Sequence, residues 1–102
     1  SDFRLSYEKL ELLEKLVGYI QSNDVQVTLV LPPYHPELMK SMSHDTLGIL
    51  KAEQSLRALS KKTDTKLLGS FDPEYDKCLS HEFYDAMHPR ESCLKRIFEP
   101  RE

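Results

Sequence analysis

Apolar residues recur along this chain at two different periods, and the alternation between them sketches its architecture. From Leu5 to Gln21, Leu10, Leu13, Val17 and Ile20 fall three or four residues apart, and Leu12 and Leu16 broaden the stripe. That spacing predicts an amphipathic helix with one core-facing side. Ser6 is suited to cap it, while Lys9 at the third position after it leaves the capping box incomplete. Ser22-Asn23-Asp24 are turn formers that end the helix. Val25 to Leu31 is short, β-branched and nearly continuous in apolar character, the pattern of a strand covered on both faces. Pro32-Pro33 stops it, and Tyr34-His35-Pro36-Glu37 becomes a loop at its carboxyl end, where open α/β sheets place ligand sites.

The helical period returns from Pro36 to Ser60 in two pieces. Leu38, Met39 and Met42 mark the first; Leu47, Ile49, Leu50, Leu56 and Leu59 mark the longer second, with Ser43-His44-Asp45-Thr46 as caps between them. Lys61-Lys62-Thr63-Asp64 reads as a polar connection, Thr65 to Gly69 as a second strand, and Glu74 to Ser80 as an irregular loop. Leu94, Ile97 and Phe98 support a last helix over Glu91 to Phe98, with Phe98 to Glu102 as a loose end. The order α, β, α, β, loop, α predicts an α/β class: a partial doubly wound, layered fold with a short parallel sheet flanked by helices. Two strands are fewer than an independent sheet usually needs. The expectation is therefore either a piece of a larger sheet or a homodimer joined through an exposed edge.

Composition narrows the class of partner. At 102 residues the chain is one domain with room for one modest core. Its net charge of −3 comes without a basic tract or basic-aromatic interleaving, which argues against nucleic acid as a partner. The longest apolar run, Val27 to Leu31, is too short to span a bilayer, so no membrane segment is expected, and no signal-peptide pattern opens the chain. The abrupt start at Ser1-Asp2 suits a cut within a longer protein.

Candidate chemistry concentrates in Glu82-Phe83-Tyr84-Asp85-Ala86-Met87-His88-Pro89. An imidazole acts as a base when an acceptor holds one ring nitrogen protonated and leaves the other free. An Asp-x-x-His spacing places both side chains on one side of a single tight turn, so Asp85 and His88 are the candidate acid and base. Pro89 restricts His88 to extended or turn geometry. The competing role for Asp85 is to cap the last helix. Cys78 and Cys93 flank the stretch. Joined, they would close the loop that carries the pair and stabilise it by about 3 kcal/mol in the chain-entropy description; two free, half-buried thiols are the other expectation.

Leu29-Val30-Leu31-Pro32-Pro33-Tyr34-His35-Pro36, then Gly69-Ser70-Phe71-Asp72, then Phe83-Tyr84-Asp85-Ala86-Met87-His88-Pro89 stand in an order that resembles the C-terminal half of SGNH/GDSL-type hydrolases. The likeness is to the branch that modifies cell-envelope polymers and polysaccharides, and it covers roughly residues 25–98. It implies a flavodoxin-like, SGNH-like layered domain of which residues 1–102 form the C-terminal part. Asp85 and His88 would then be the acid and base of a Ser-His-Asp triad, the substrate an acyl ester on a glycan or envelope polymer, and the location periplasmic or otherwise extracytoplasmic. No cofactor is implied. The family's serine block and oxyanion donors have no counterpart here; Asn23, the sole asparagine, lies in a helix-to-strand turn. An Asp-His pair without them has no bond to break, so the chain alone should be catalytically silent, an esterase or acyltransferase only when completed.

Other candidates are weighed beside this pair. Ser70 follows a strand, but bulky Phe71 and the absence of a following helix fit strand-end packing better than a nucleophile. Cys78, His81, Asp85, His88 and Cys93 have ligand chemistry for a small zinc module, though without a paired Cys-x-x-Cys element; no metal is expected. His35 and Tyr34 would contact substrate if their loop faces the same strand-end crevice as His88.

Overall fold

The structure, a computed structural model, describes residues 6–41 and 46–99. Leu5, Met42, the Ser43-His44-Asp45 caps and the last three residues of the expected loose end lie outside the described residues. Helix α1 (Tyr7–Gln21) leads into strand β1 (Thr28–Leu31); α2 (Pro36–Ser41) and α3 (Thr46–Thr63) cross over to β2 (Lys66–Gly69). A 3-10 turn (Ser80–Glu82) and α4 (Glu91–Phe98) complete the order, which makes this a small α/β protein. The two strands pair in parallel, with Thr28 opposite Lys66 and Leu31 opposite Gly69. A parallel pair needs a long crossover, and α2 with α3 supplies it.

The helix starts and stops follow local chemistry. Ser6 caps α1 as expected, its Oγ accepting from the Lys9 amide at 3.1 Å. Both helix-to-strand connections turn through an aspartate in the left-handed region, Asp24 at φ 61° and Asp64 at φ 55°. Aspartate tolerates that region because its short polar side chain can bond locally. After Asp64 the Thr65 amide reaches back to the Ser60 carbonyl at 2.9 Å, a Schellman-type close that leads straight into β2. Helix α3 consequently runs to Thr63 and absorbs Lys61-Lys62-Thr63, three residues expected in a loop.

Strand β1 departs from expectation in two ways. It begins at Thr28 rather than Val25, because its partner begins only at Lys66, just after the Asp64 turn, and offers Val25 to Val27 nothing to pair with. It is also not covered on both faces. Leu31 is buried, but Thr28 is exposed and Val30 is 37% exposed. The sheet has only these two strands, so each is an edge among the described residues, and β1 lacks the flanking strands that would bury Val30.

Helices α1 and α3 pack on each other, and Val17 of α1 and Ile49 and Leu59 of α3 are buried. A Lys62–Glu14 ion pair at 3.1 Å links their surfaces. A second cluster joins Cys78, Phe83, Cys93 and Ile97, with Leu68 and Leu94 against it, and fixes α4 on β2. Gly69 ends β2 at φ 84°, where a Cβ would run into the carbonyl oxygen of Leu31, its own strand partner. Gly69→Ala should therefore lower the midpoint of thermal unfolding by roughly 5–15 °C. Gly18→Ala, on a helix surface with open space around it, should leave the midpoint unchanged or raise it slightly. Thermal melts followed by circular dichroism measure both, and a neutral Gly69→Ala would mean the β2 end relaxes without strain.

Candidate active site

The Asp85–His88 pair forms on a turn that the backbone closes twice. The Tyr84 amide donates to the His88 carbonyl at 2.8 Å, and Phe83 bridges Pro89 in antiparallel fashion. Arg90 braces the same turn, its Nε donating to the Phe83 carbonyl at 3.2 Å and its guanidinium lying 4.4 Å from the centre of the Tyr84 ring. Within the turn, Asp85 Oδ1 accepts from the Met87 amide at 2.9 Å. His88 Nδ1 lies 2.7 Å from Asp85 Oδ1 and 2.9 Å from Oδ2.

Protons can be assigned from donor and acceptor inventory. An ionised carboxylate only accepts, so Nδ1 carries the hydrogen and the lone pair of the neutral ring sits on Nε2. The Met87 amide first, and His88 second, hold the Asp85 carboxyl below its ordinary range. The His88 side chain is 75% exposed, leaving Nε2 reachable from solvent. Chemically, this arrangement leaves an oriented lone pair that is able to accept a proton. It is not a helix cap: the N-cap of α4 is Arg90, five residues beyond Asp85, and the Asp85 carboxylate is committed to its own turn.

Two devices hold the base of this loop on α4. Cys78 and Cys93 are joined in a disulfide across 15 residues, with Cα atoms 5.4 Å apart, and both are buried. The free-thiol expectation is thereby overturned. So is the zinc alternative, which loses both thiolates; among the described residues no group of three or more His, Cys, Asp or Glu side chains could hold a metal ion. The second device is Glu82, buried in the 3-10 turn. It accepts from the Ser92 hydroxyl, from the Leu79 amide at 3.0 Å and from the Arg96 guanidinium. Arg96 also donates to the carbonyls of Asp76 at 2.9 Å and Lys77 at 3.3 Å, stitching the strand of chain just before Cys78 to α4.

The loop after β1 meets the dyad turn directly. The His35 amide donates to the Ala86 carbonyl at 3.0 Å, and the His35 ring leans on Phe83 with centroids 5.2 Å apart. His35, Glu37, Leu38, Ser41, Asp85 and Ala86 line a shallow open depression of about 400 Å³, walled mainly by apolar atoms. His35 and Asp85 thus line one hollow, while His88 is not part of its lining. Tyr34 is not part of that lining. Its amide bonds the Phe71 carbonyl, its ring stacks on Phe71 at 5.9 Å, and burial raises its hydroxyl pKa.

Ser70 is 2% exposed and unfit as a nucleophile. Its Oγ donates to Glu53 at 2.8 Å and accepts from the Asp72 amide at 3.0 Å. Glu53 in α3, which the sequence pattern does not single out, also accepts from the Phe71 amide at 2.8 Å and pairs with Arg57 at 2.9 Å. Arg57 in turn donates to the Gly69 carbonyl at 2.8 Å. This half-buried carboxylate anchors the end of β2 and the chain that leaves it. The one signal for it in the sequence is the Glu-to-Arg spacing of four on a helix, which is common to many solvated pairs.

Comparison of the chain with protein-family models, with curated proteins and with solved structures finds no match in any of the three. No helix among the described residues is long and apolar enough to cross a membrane.

The Glu82 clamp has a measurable pH signature. The Ser92 hydroxyl, the Leu79 amide and Arg96 together lower its carboxyl from 4.5 to about 2. A carboxyl depressed on folding contributes stability that is complete above its unfolded value and lost as pH falls through the folded one. The unfolding midpoint should thus decline between about pH 5 and pH 2. Glu82→Gln should be less stable at neutral pH and show a shallower decline across that window; parallel slopes for the two proteins would assign the acid sensitivity elsewhere.

Proposed function

We propose that this chain is the C-terminal segment of an SGNH-like esterase or O-acyltransferase and supplies the Asp-His part of its Ser-His-Asp triad. The observation that carries this reading is the Asp85–His88 pair, hydrogen-bonded at 2.7 Å with the far ring nitrogen open to solvent. In that role His88 Nε2 takes the proton of a serine hydroxyl as its oxygen attacks an ester carbonyl. The imidazolium then returns the proton to the departing alkoxide. Asp85 stays ionised throughout, holding the tautomer and stabilising the imidazolium. The serine and the oxyanion donors belong to a segment other than these 102 residues, and the substrate is an acyl ester on a glycan or envelope polymer. A periplasmic or otherwise extracytoplasmic location is part of the same proposal and is supported by the Cys78–Cys93 bridge, which persists in oxidising compartments.

In the full-length protein, His88→Ala should lower kcat/KM for an activated ester such as p-nitrophenyl acetate by roughly 10³–10⁴-fold, mostly through kcat. Asp85→Asn should cost on the order of 10³-fold, because the amide can hold the wrong tautomer. Activity that survives His88→Ala intact would end the triad reading.

A homodimerising, non-catalytic α/β module is a second reading, and one surface favours it. Leu12, Leu16 and Tyr19 form an apolar stripe along α1 on the side away from buried Val17, and are 68%, 53% and 70% exposed. A second copy of the chain is its proposed occupant. Sedimentation velocity should then show a concentration-dependent dimer that Leu16→Glu abolishes; a monomer throughout would exclude it.

A further inference from the structure

His35, on the loop after β1, and His88, in the dyad turn, are held in opposite tautomers, and this divides their chemistry. His88 keeps its proton on Nδ1 because a carboxylate faces that nitrogen. His35 is the reverse: its Nδ1 accepts the Glu37 amide at 3.0 Å, so the proton of the neutral ring lies on Nε2. The arrangement follows from local structure. His35 precedes Pro36 at the first position of α2, its carbonyl takes the Met39 amide at 2.9 Å, and its side chain caps the next free amide of the first turn. The ring is further fixed by Phe83 and by the backbone bond to Ala86. His35 therefore cannot serve as a second base without losing the cap, and among the described residues its Nε2–H has no acceptor.

We infer that the depression between α2 and the dyad turn is an acyl subsite for short, uncharged acyl groups, in which His35 donates its Nε2–H to the ester. This rests on the esterase or acyltransferase reading and names the part of the substrate that the site holds. Leu38 and Ala86 offer apolar walls to an alkyl group, and His35 is the neutral donor beside them. Glu37 and Asp85 both line the same hollow, so an acyl group bearing a carboxylate meets two like charges. The hollow adjoins Asp85, which places a bound ester beside the turn that carries the base.

Two substitutions separate the donor from the cap. His35→Asn keeps an oxygen near the Nδ1 position, where it can cap α2, but removes the Nε2–H. His35→Gln can place an amide N–H near Nε2 and gives up the cap. In the full-length protein, His35→Asn should keep the unfolding midpoint within about 2 °C and raise KM for p-nitrophenyl acetate about tenfold, with the pH profile unmoved. His35→Gln should lose several degrees of midpoint and hold KM within about threefold. The mono-p-nitrophenyl ester of succinic acid should be the poorer substrate of wild type. Titration of ¹⁵N-labelled protein with methyl acetate supplies a readout that needs no turnover: the His35 ring signal should shift saturably in wild type and not in His35→Asn. Saturable shifts without any hydrolysis would discard the triad reading and keep the subsite. Hydrolysis with KM unchanged in His35→Asn, and no shift on titration, would discard the subsite and leave His35 as a cap alone.

Discussion

The Asp85–His88 contact depends on one constraint: the segment from Cys78 to Cys93 is pinned at its base to α4 while its tip is left in solvent. The disulfide and the Glu82–Arg96–Ser92 cluster act at that base, where both cysteines and Glu82 are buried. Phe83 is buried at the base, but from Tyr84 to His88 every residue is exposed and the tip buries no apolar side chain of its own. Without the anchors, ordering this loop would cost conformational entropy that its own contacts could not offset. With them, a short antiparallel turn suffices to bring a carboxylate and an imidazole within hydrogen-bond distance.

A half-buried carboxylate, Glu53, solves a similar problem where the chain leaves β2. Glu53 collects Ser70, the Phe71 amide and Arg57, and Arg57 satisfies the carbonyl of Gly69. Chain leaving a short parallel strand has amides and carbonyls with no ladder to enter, and burying them unpaired would be costly. Glu53 meets that demand from a neighbouring helix. Tyr34 and Phe71 then stack beside it, and the two strand-end loops lie side by side. His35 reaches the dyad turn from this platform, through a single backbone hydrogen bond to Ala86.

Opposite tautomers on His35 and His88 give the two neighbouring loops different hydrogen-bonding roles. One ring presents a lone pair and the other a hydrogen, and in each case the choice is made by the partner of Nδ1 rather than by the imidazole itself. A carboxylate three residues upstream sets one; a backbone amide two residues downstream sets the other. Because both partners are local in sequence, each tautomer is held by a short piece of chain, and only the relative placement of the two rings depends on the whole fold.

The sequence alone determined what is local. The helical stripe of α1, the Ser6 cap, the existence of two strands and the limits of α4 follow from periodicity and capping chemistry that act within a few residues. The Asp85–His88 spacing belongs to the same class, since an Asp-x-x-His turn can set the two groups on one side, although holding that turn in place fell to the anchors at its base. Tertiary structure decided the rest. The first residue of β1 was set by where β2 begins, the exposure of Val30 by how few strands flank it, and the end of α3 by the Asp64 turn. Whether the cysteines join depended on α4 lying against the chain at Cys78. Glu53 and Glu82 look like any surface glutamate in the sequence; Ser70 and the Phe71 amide for one, and Arg96 for the other, lie far enough along the chain that the contacts giving these carboxylates their roles exist only once it has folded.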